Sequence, residues 1–102
     1  MFCKTTKSKV DVQNSGKMEQ WVKEKWSPLI SKQTGFKGYY YISKPDGEFV
    51  IIMLWEQAKY VQLWTDNPEH RALVPDFMAL TVSPVQMDLY EVSDWRMLPT
   101  SA

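Results

Sequence analysis

The order of patterns along this sequence predicts an α+β domain, with two β-α-β units sharing one antiparallel sheet. Three observations predict it. An alternating segment, Phe2 to Val12, is followed by apolar residues at helical spacing. Two apolar segments then flank Pro45-Asp46-Gly47, which is strong turn chemistry. Finally, a second helical period precedes a closing alternating segment from Val85 to about Val92.

Each element has its own reason. Thr6, Ser8, Val10 and Val12 alternate with Lys7, Lys9 and Asp11, which reads as a first strand. Gln13-Asn14-Ser15-Gly16 reads as a turn that ends in capping residues. Met18, Trp21, Val22, Trp26, Leu29 and Ile30 recur as on one side of a helix. Ser27-Pro28 should kink or restart that helix, because proline lacks an N–H and crowds the preceding turn. Trp21 and Trp26, five apart, should not share a face closely, and at least one should stand at a cavity mouth. Gly35 suits the helix stop.

Phe36–Ser43 is an aromatic-rich strand, and Glu48–Trp55 is apolar enough to be covered on both faces. Glu56 to Asp66 reads as a helix with Tyr60, Leu63 and Trp64 on one stripe. Asn67-Pro68 caps it and starts another, through His70, Leu73, Val74 and Phe77, which Pro75 should bend or divide. The tail, Ser93 to Ala102, carries Trp95 and Met97 without a period and would pack on a neighbouring chain. Residues 1–102 therefore read as one domain, with a core of about 2–92.

Right-handed crossovers put the first and third strands in the centre of a ferredoxin-like sheet, with helices on one face. Two consequences follow. The open face should be covered by a second subunit, giving a homodimer through the sheets. The hydroxyls of Thr6 and Ser8 on a central strand need partners, either from neighbouring side chains or from the polar part of a cavity.

Composition removes several function classes. The chain has 102 residues, with 12 basic and 12 acidic side chains, so charge gives no case for nucleic acid or an anionic membrane. The single cysteine, Cys3, cannot form an internal disulfide, and no zinc spacing exists. There is no apolar leader and no membrane-length run, so the expectation is a soluble cytoplasmic protein. Five Trp, five Tyr and four Phe suggest an aromatic core, a dimer interface or a cavity for a flat organic ligand.

The densest stretch is Leu54 to Arg71, which holds Trp55, Trp64 and the only histidine, His70. With Gly35-Phe36-x-Gly38, the strand ending Trp55-Glu56, and Trp64 followed by Asn67-Pro68-Glu69-His70-Arg71, the chain resembles the antibiotic biosynthesis monooxygenase family. The resemblance spans roughly residues 2–92. It implies a dimeric α+β barrel and, in the cofactor-free branch, oxidation of a planar quinol or anthrone by dioxygen. The expected catalytic residues are His70 as base, with Trp64 and Asn67 holding oxygens. Trp55, Tyr39, Thr6, Ser8 and Arg71 are the expected substrate contacts. No cofactor is expected in that branch.

The haem-degrading branch is the alternative. Trp64 matches its haem-distorting tryptophan, but Val74 stands where its ligand histidine belongs, and Ser8 stands near its first-strand asparagine. In the cofactor-free branch, some relatives carry an asparagine on the third strand four residues before the tryptophan; Ile51 stands there in this chain, a departure from their mechanism. A third reading is a non-catalytic dimeric binding or stress-response protein, whose pocket would be filled by its own side chains.

Overall fold

The computed structural model describes residues 1–96, so Met97–Ala102 of the expected tail lie outside the described residues. Its sheet has strands β1 (Phe2–Lys9), β2 (Phe36–Ser43), β3 (Glu48–Trp55) and β4 (Gln86–Glu91). They lie in the order β2-β3-β1-β4, with every pair antiparallel. The first and third strands are central, as the crossover rule requires. One face carries a helical rod after β1 and the helices α3 (Ala58–Asp66) and α4 (Pro68–Leu80) after β3.

The rod is α1 (Ser15–Trp21), a π turn (Val22–Trp26) and α2 (Ser27–Ile30). Pro28 explains the change of winding. It has no N–H for the carbonyl four residues back, and its ring crowds that carbonyl. The chain responds by closing a wider ring, with the Ser27 N–H donating to the carbonyl of Val22. Each π turn accommodates one extra residue. Met18, Val22, Trp26 and Ile30 are consequently all buried, although they recur every four positions rather than at the ordinary helical period of about 3.6.

On β3, Phe49, Ile51, Met53 and Trp55 face the helices and are buried, whereas Val50, Ile52 and Leu54 on the other face are partly exposed. Trp55 is fully buried at the end of the sheet, in register with Phe2 and Phe36, its ring edge-on to Phe36 at 5.1 Å. At the opposite end, the Val82 N–H donates to the carbonyl of Lys9, and Val10 bridges to Thr81. Gly35, with φ 81°, ends the first helical layer; a Cβ there would strike the Tyr60 ring.

Four expectations are corrected. The first strand stops at Lys9, and Val12 is exposed in a short 3-10 turn. Helix α3 begins at Ala58, because Gln57 is extended. Its buried stripe is Val61 and Trp64, while Leu63 points to solvent. Pro75 neither divides nor ends α4, which runs unbroken over 13 residues. Pro75 and Arg71, whose carbonyl it leaves without its helical N–H, are both exposed, so water can serve that carbonyl. No helix among the described residues is long and apolar enough to cross a membrane.

Candidate functional site

The joint between α3 and α4 positions the histidine. Asn67 is extended, with ψ 123°, and its Oδ1 accepts from the N–H groups of Glu69 (2.8 Å) and His70 (3.2 Å). With Pro68 in the first turn, this forms a strong N-cap and starts α4 close to the end of α3. His70 thereby folds back over Trp64. The two rings stack, with centroids 4.2 Å apart and planes 26° from parallel. The Nδ1 of His70 lies 3.0 Å from the carbonyl oxygen of Trp64.

That contact identifies the tautomer. A carbonyl only accepts, so Nδ1 carries the proton and the lone pair of the neutral ring is on Nε2. Burial lowers the His70 pKa below its ordinary 6.5, and the nearby charge of Lys4 adds to the shift, against the hydrogen bonds to backbone. The imidazole is therefore neutral near pH 7 and able to accept a proton.

His70 borders a cavity of about 50 Å³ between the sheet and the helices. β1 contributes Lys4 and Thr6 to its wall, and β3 contributes Ile51 and Met53. Trp21 and Trp26 come from the helical rod and Trp64 from α3. Leu73, Val74 and Phe77 close it from α4. Aromatic contacts tie the wall together: Trp26 meets Trp64 edge-on at 6.4 Å, and Trp21 packs against Phe77 at 5.5 Å. The free space holds roughly four waters at the 10–15 Å³ each requires. Pockets that enclose drug-sized ligands have about 300 Å³ or more, so a multi-ring ligand must displace part of this wall.

Of the residues expected at a site, the structure brings His70, Trp64 and Thr6 to this cavity. It assigns the others elsewhere. Ser8 is buried, but its hydroxyl bonds to the carbonyl (3.0 Å) and hydroxyl (3.3 Å) of Ser83. Tyr39 packs edge-on to Trp26 at 4.9 Å, behind the cavity wall. Trp55 is core, and Asn67 is spent on its cap, with Nδ2 also reaching Gln33 Oε1 at 3.4 Å. Arg71 is exposed and outside the cavity. The alternatives for the two first-strand hydroxyls thus divide, with Ser8 satisfied locally and Thr6 at the cavity.

Lys4 is a cavity residue that sequence reasoning missed; of Trp21 and Trp26, at least one was expected at a cavity mouth, and both line the wall. The tryptophans share a wall because the π turn brings positions five apart together. The strict four-residue spacing of Met18, Val22, Trp26 and Ile30 was the signal for it. Lys4 carried a signal as well: it is in phase with Thr6 and Ser8 on the strand face that turns inward.

Solved structures share this architecture. A Deinococcus radiodurans protein provisionally assigned as an antibiotic biosynthesis monooxygenase superposes with a TM-score of 0.81 at 13% identity, over 98% of this chain and all of that one. The ActVA-Orf6 monooxygenase of Streptomyces coelicolor, solved with nanaomycin D, gives 0.81 at 18% identity, over 97% of this chain and 92% of that one. The chain has the fold of the antibiotic biosynthesis monooxygenases. A further antibiotic biosynthesis monooxygenase structure matches with a TM-score of 0.75 at 14% identity, over 92% of this chain and all of that one. At these identities the likeness is one of fold. No family model matches the sequence, and no curated protein matches it.

Within the antibiotic biosynthesis monooxygenase fold, the haem alternative can be tested on the residues present. Val74 borders the cavity but offers no ligand atom. His70 is stacked on Trp64 with its Nδ1 engaged and would have to leave both the ring and the carbonyl to reach iron. These residues do not fit haem. No cluster of His, Cys, Asp and Glu among the described residues could hold a metal ion.

Proposed function

We propose that this chain is a cofactor-independent monooxygenase acting on an electron-rich aromatic, a quinol or anthrone, bound between the sheet and α4. The observation that carries the reading is the neutral, half-buried His70, held by Trp64 with its lone pair on Nε2, at the rim of an aromatic-walled cavity. Its Nε2 takes the hydroxyl proton of the substrate. The ionised ring then supplies the electrons that reduce dioxygen. One oxygen atom enters the ring carbon and the other leaves as water. Thr6 offers a hydroxyl to the substrate oxygens, and the tryptophans exclude water from the reaction.

One further feature supports a homodimer through the sheets. The face away from the helices exposes Tyr40, Ile42 and Tyr90 and carries Val50, Ile52 and Leu54 between them, with no element over them among the described residues. Such a contiguous apolar patch is unusual on a monomer. The free thiol of Cys3 fits a reducing compartment such as the cytoplasm.

The test is turnover of an anthrone and a quinol under air. His70→Ala and Trp64→Phe should each lower the rate without loss of fold; wild-type rates in both would refute the site. A second reading, a non-catalytic binding or stress-response protein, is favoured by the complete packing of Trp55 and Trp64 and by the small cavity. It predicts binding of an aromatic with no oxygen consumption, which an oxygen electrode distinguishes.

A further inference from the structure

We propose that the cavity selects a ring that carries, besides the hydroxyl facing His70, a second oxygen that is already ionised, a carboxylate or a phenolate, and holds that second oxygen between the Lys4 ammonium and the indole N–H of Trp21. The proposal rests on the cavity being the ligand site, and it requires no turnover.

Lys4 projects from the central strand β1 into the face covered by helices. Among the described residues its Nζ makes one hydrogen bond, a long one of 3.4 Å to the hydroxyl of Thr65, which itself donates to the carbonyl of Val61. Ion pairs among the described residues are made by Lys7, Lys23, Lys37 and Lys44, but not by Lys4. A partly buried ammonium without an anion is costly, and proteins normally pair or expose it.

Trp21 adds a second donor. Its Nε1 is buried and meets no acceptor, although Trp21 itself borders the cavity. A buried donor left unmade is expensive enough to call for an explanation. Trp55 has the other orphaned indole N–H, but it does not border the cavity and gains nothing from a ligand there.

The rest of the wall agrees. No Asp or Glu lines the cavity, so nothing repels an anion, and His70 is neutral and adds no competing charge. Thr6 can donate as well. One charged donor, one orphaned N–H and an aromatic lining form a receptor for a flat ring with a negative oxygen.

Calorimetric titration tests this with paired probes. Wild-type protein is titrated with 2-naphthoate and its neutral isostere 2-naphthalenemethanol. In a second arm it is titrated with 4-nitrophenolate, above the phenol's own pKa, and 4-nitroanisole. We expect each anion to bind about tenfold or more tighter than its neutral partner, as hydrogen bonds to charged groups allow. The arm with the larger ratio names the source of the oxygen. Lys4→Met should abolish the preference while the neutral probes still bind, Lys4→Arg should keep it, and Trp21→Phe should weaken the anion several-fold. Equal binding of charged and neutral probes, or an unchanged preference in Lys4→Met, overturns the proposal while leaving the cavity a ligand site. If no probe binds at all, both this proposal and the cavity reading fall.

Discussion

The imidazole of His70 lies flat on the indole of Trp64, 4.2 Å between centroids, and reaches back to that residue's own carbonyl. One tryptophan thus fixes both the plane and the tautomer of the histidine. The arrangement keeps an ionisable group neutral in a partly buried place, and this has a measurable effect on stability.

Because burial lowers the folded-state pKa of His70 below 6.5, the unfolded chain binds more protons between the two values. The stability that His70 protects is fully present above pH 6.5 and is lost as pH falls from there toward the folded pKa. Thermal melts from neutral pH to about pH 5 should show Tm declining more steeply for wild type than for His70→Gln. A wild-type slope no steeper than the variant's would contradict the neutral, buried assignment.

Lys4 should be a burden on the unliganded protein. Its pKa is lowered by burial, so at pH 7 the folded state carries a charge it would rather not hold. Lys4→Met keeps the length of the side chain and removes that charge. Its Tm should rise by about 2 °C, within the range of modest surface-to-interior improvements in a domain this size. A lower Tm would mean that Lys4 is better solvated than its place in the wall implies.

Phe77 supports the cavity from α4. It is buried and packs on Trp21 at 5.5 Å and on Phe49 at 6.0 Å. Phe77→Ala should cost about 3 kcal/mol in urea denaturation, as expected for emptying an aromatic site in a core. The same variant enlarges the cavity, so affinity for a three-ring aromatic should improve relative to a two-ring one. A loss of binding for both would place the ligand elsewhere.

Sedimentation velocity at micromolar protein should give a dimer. Ile52 stands at the middle of the open face, in register with Tyr40 on one side and Thr5 on the other. Ile52→Glu should give a folded monomer, because an unpaired charge at the centre of an apolar interface outweighs the packing around it. A monomeric wild type would contradict the sheet-to-sheet assembly.

Haem titration followed by absorbance should give no Soret shift that depends on His70. The imidazole would have to leave both the Trp64 ring and its carbonyl before it could bind iron. A shift present in wild type and lost in His70→Ala would reverse the judgement that haem does not fit.

The sheet was legible because its signals are local and periodic: the alternation of β1, the apolar run of β3 and the Pro45-Asp46-Gly47 turn each point one way. Asn67-Pro68 likewise announced the joint that turns His70 back. The site was legible only in part. Leu63 and Val61 are both apolar on one helix, and which of them is buried depends on how α3 lies against the sheet. Ser8 and Thr6 look alike in sequence, yet a loop serine eighty-three positions into the chain decides that only one reaches the cavity. Lys4 drew no notice in the sequence, because charge is ordinarily a sign of solvent.

The π turn also bears on how this protein can change. It is in effect an α-helix with one residue inserted, so the segment Val22–Trp26 is a place where chain length can vary without disturbing what the sheet meets. Removing an exposed residue there, such as Lys25, would take out the inserted position and leave Trp21 and Trp26 four apart on the same side, with Pro28 still lacking its helical N–H. A single-codon deletion or insertion at this point would alter the pitch and backbone bonding of the cavity wall while sparing every strand. The rod is therefore the part of the fold through which lineages could retune the pocket in steps of one residue.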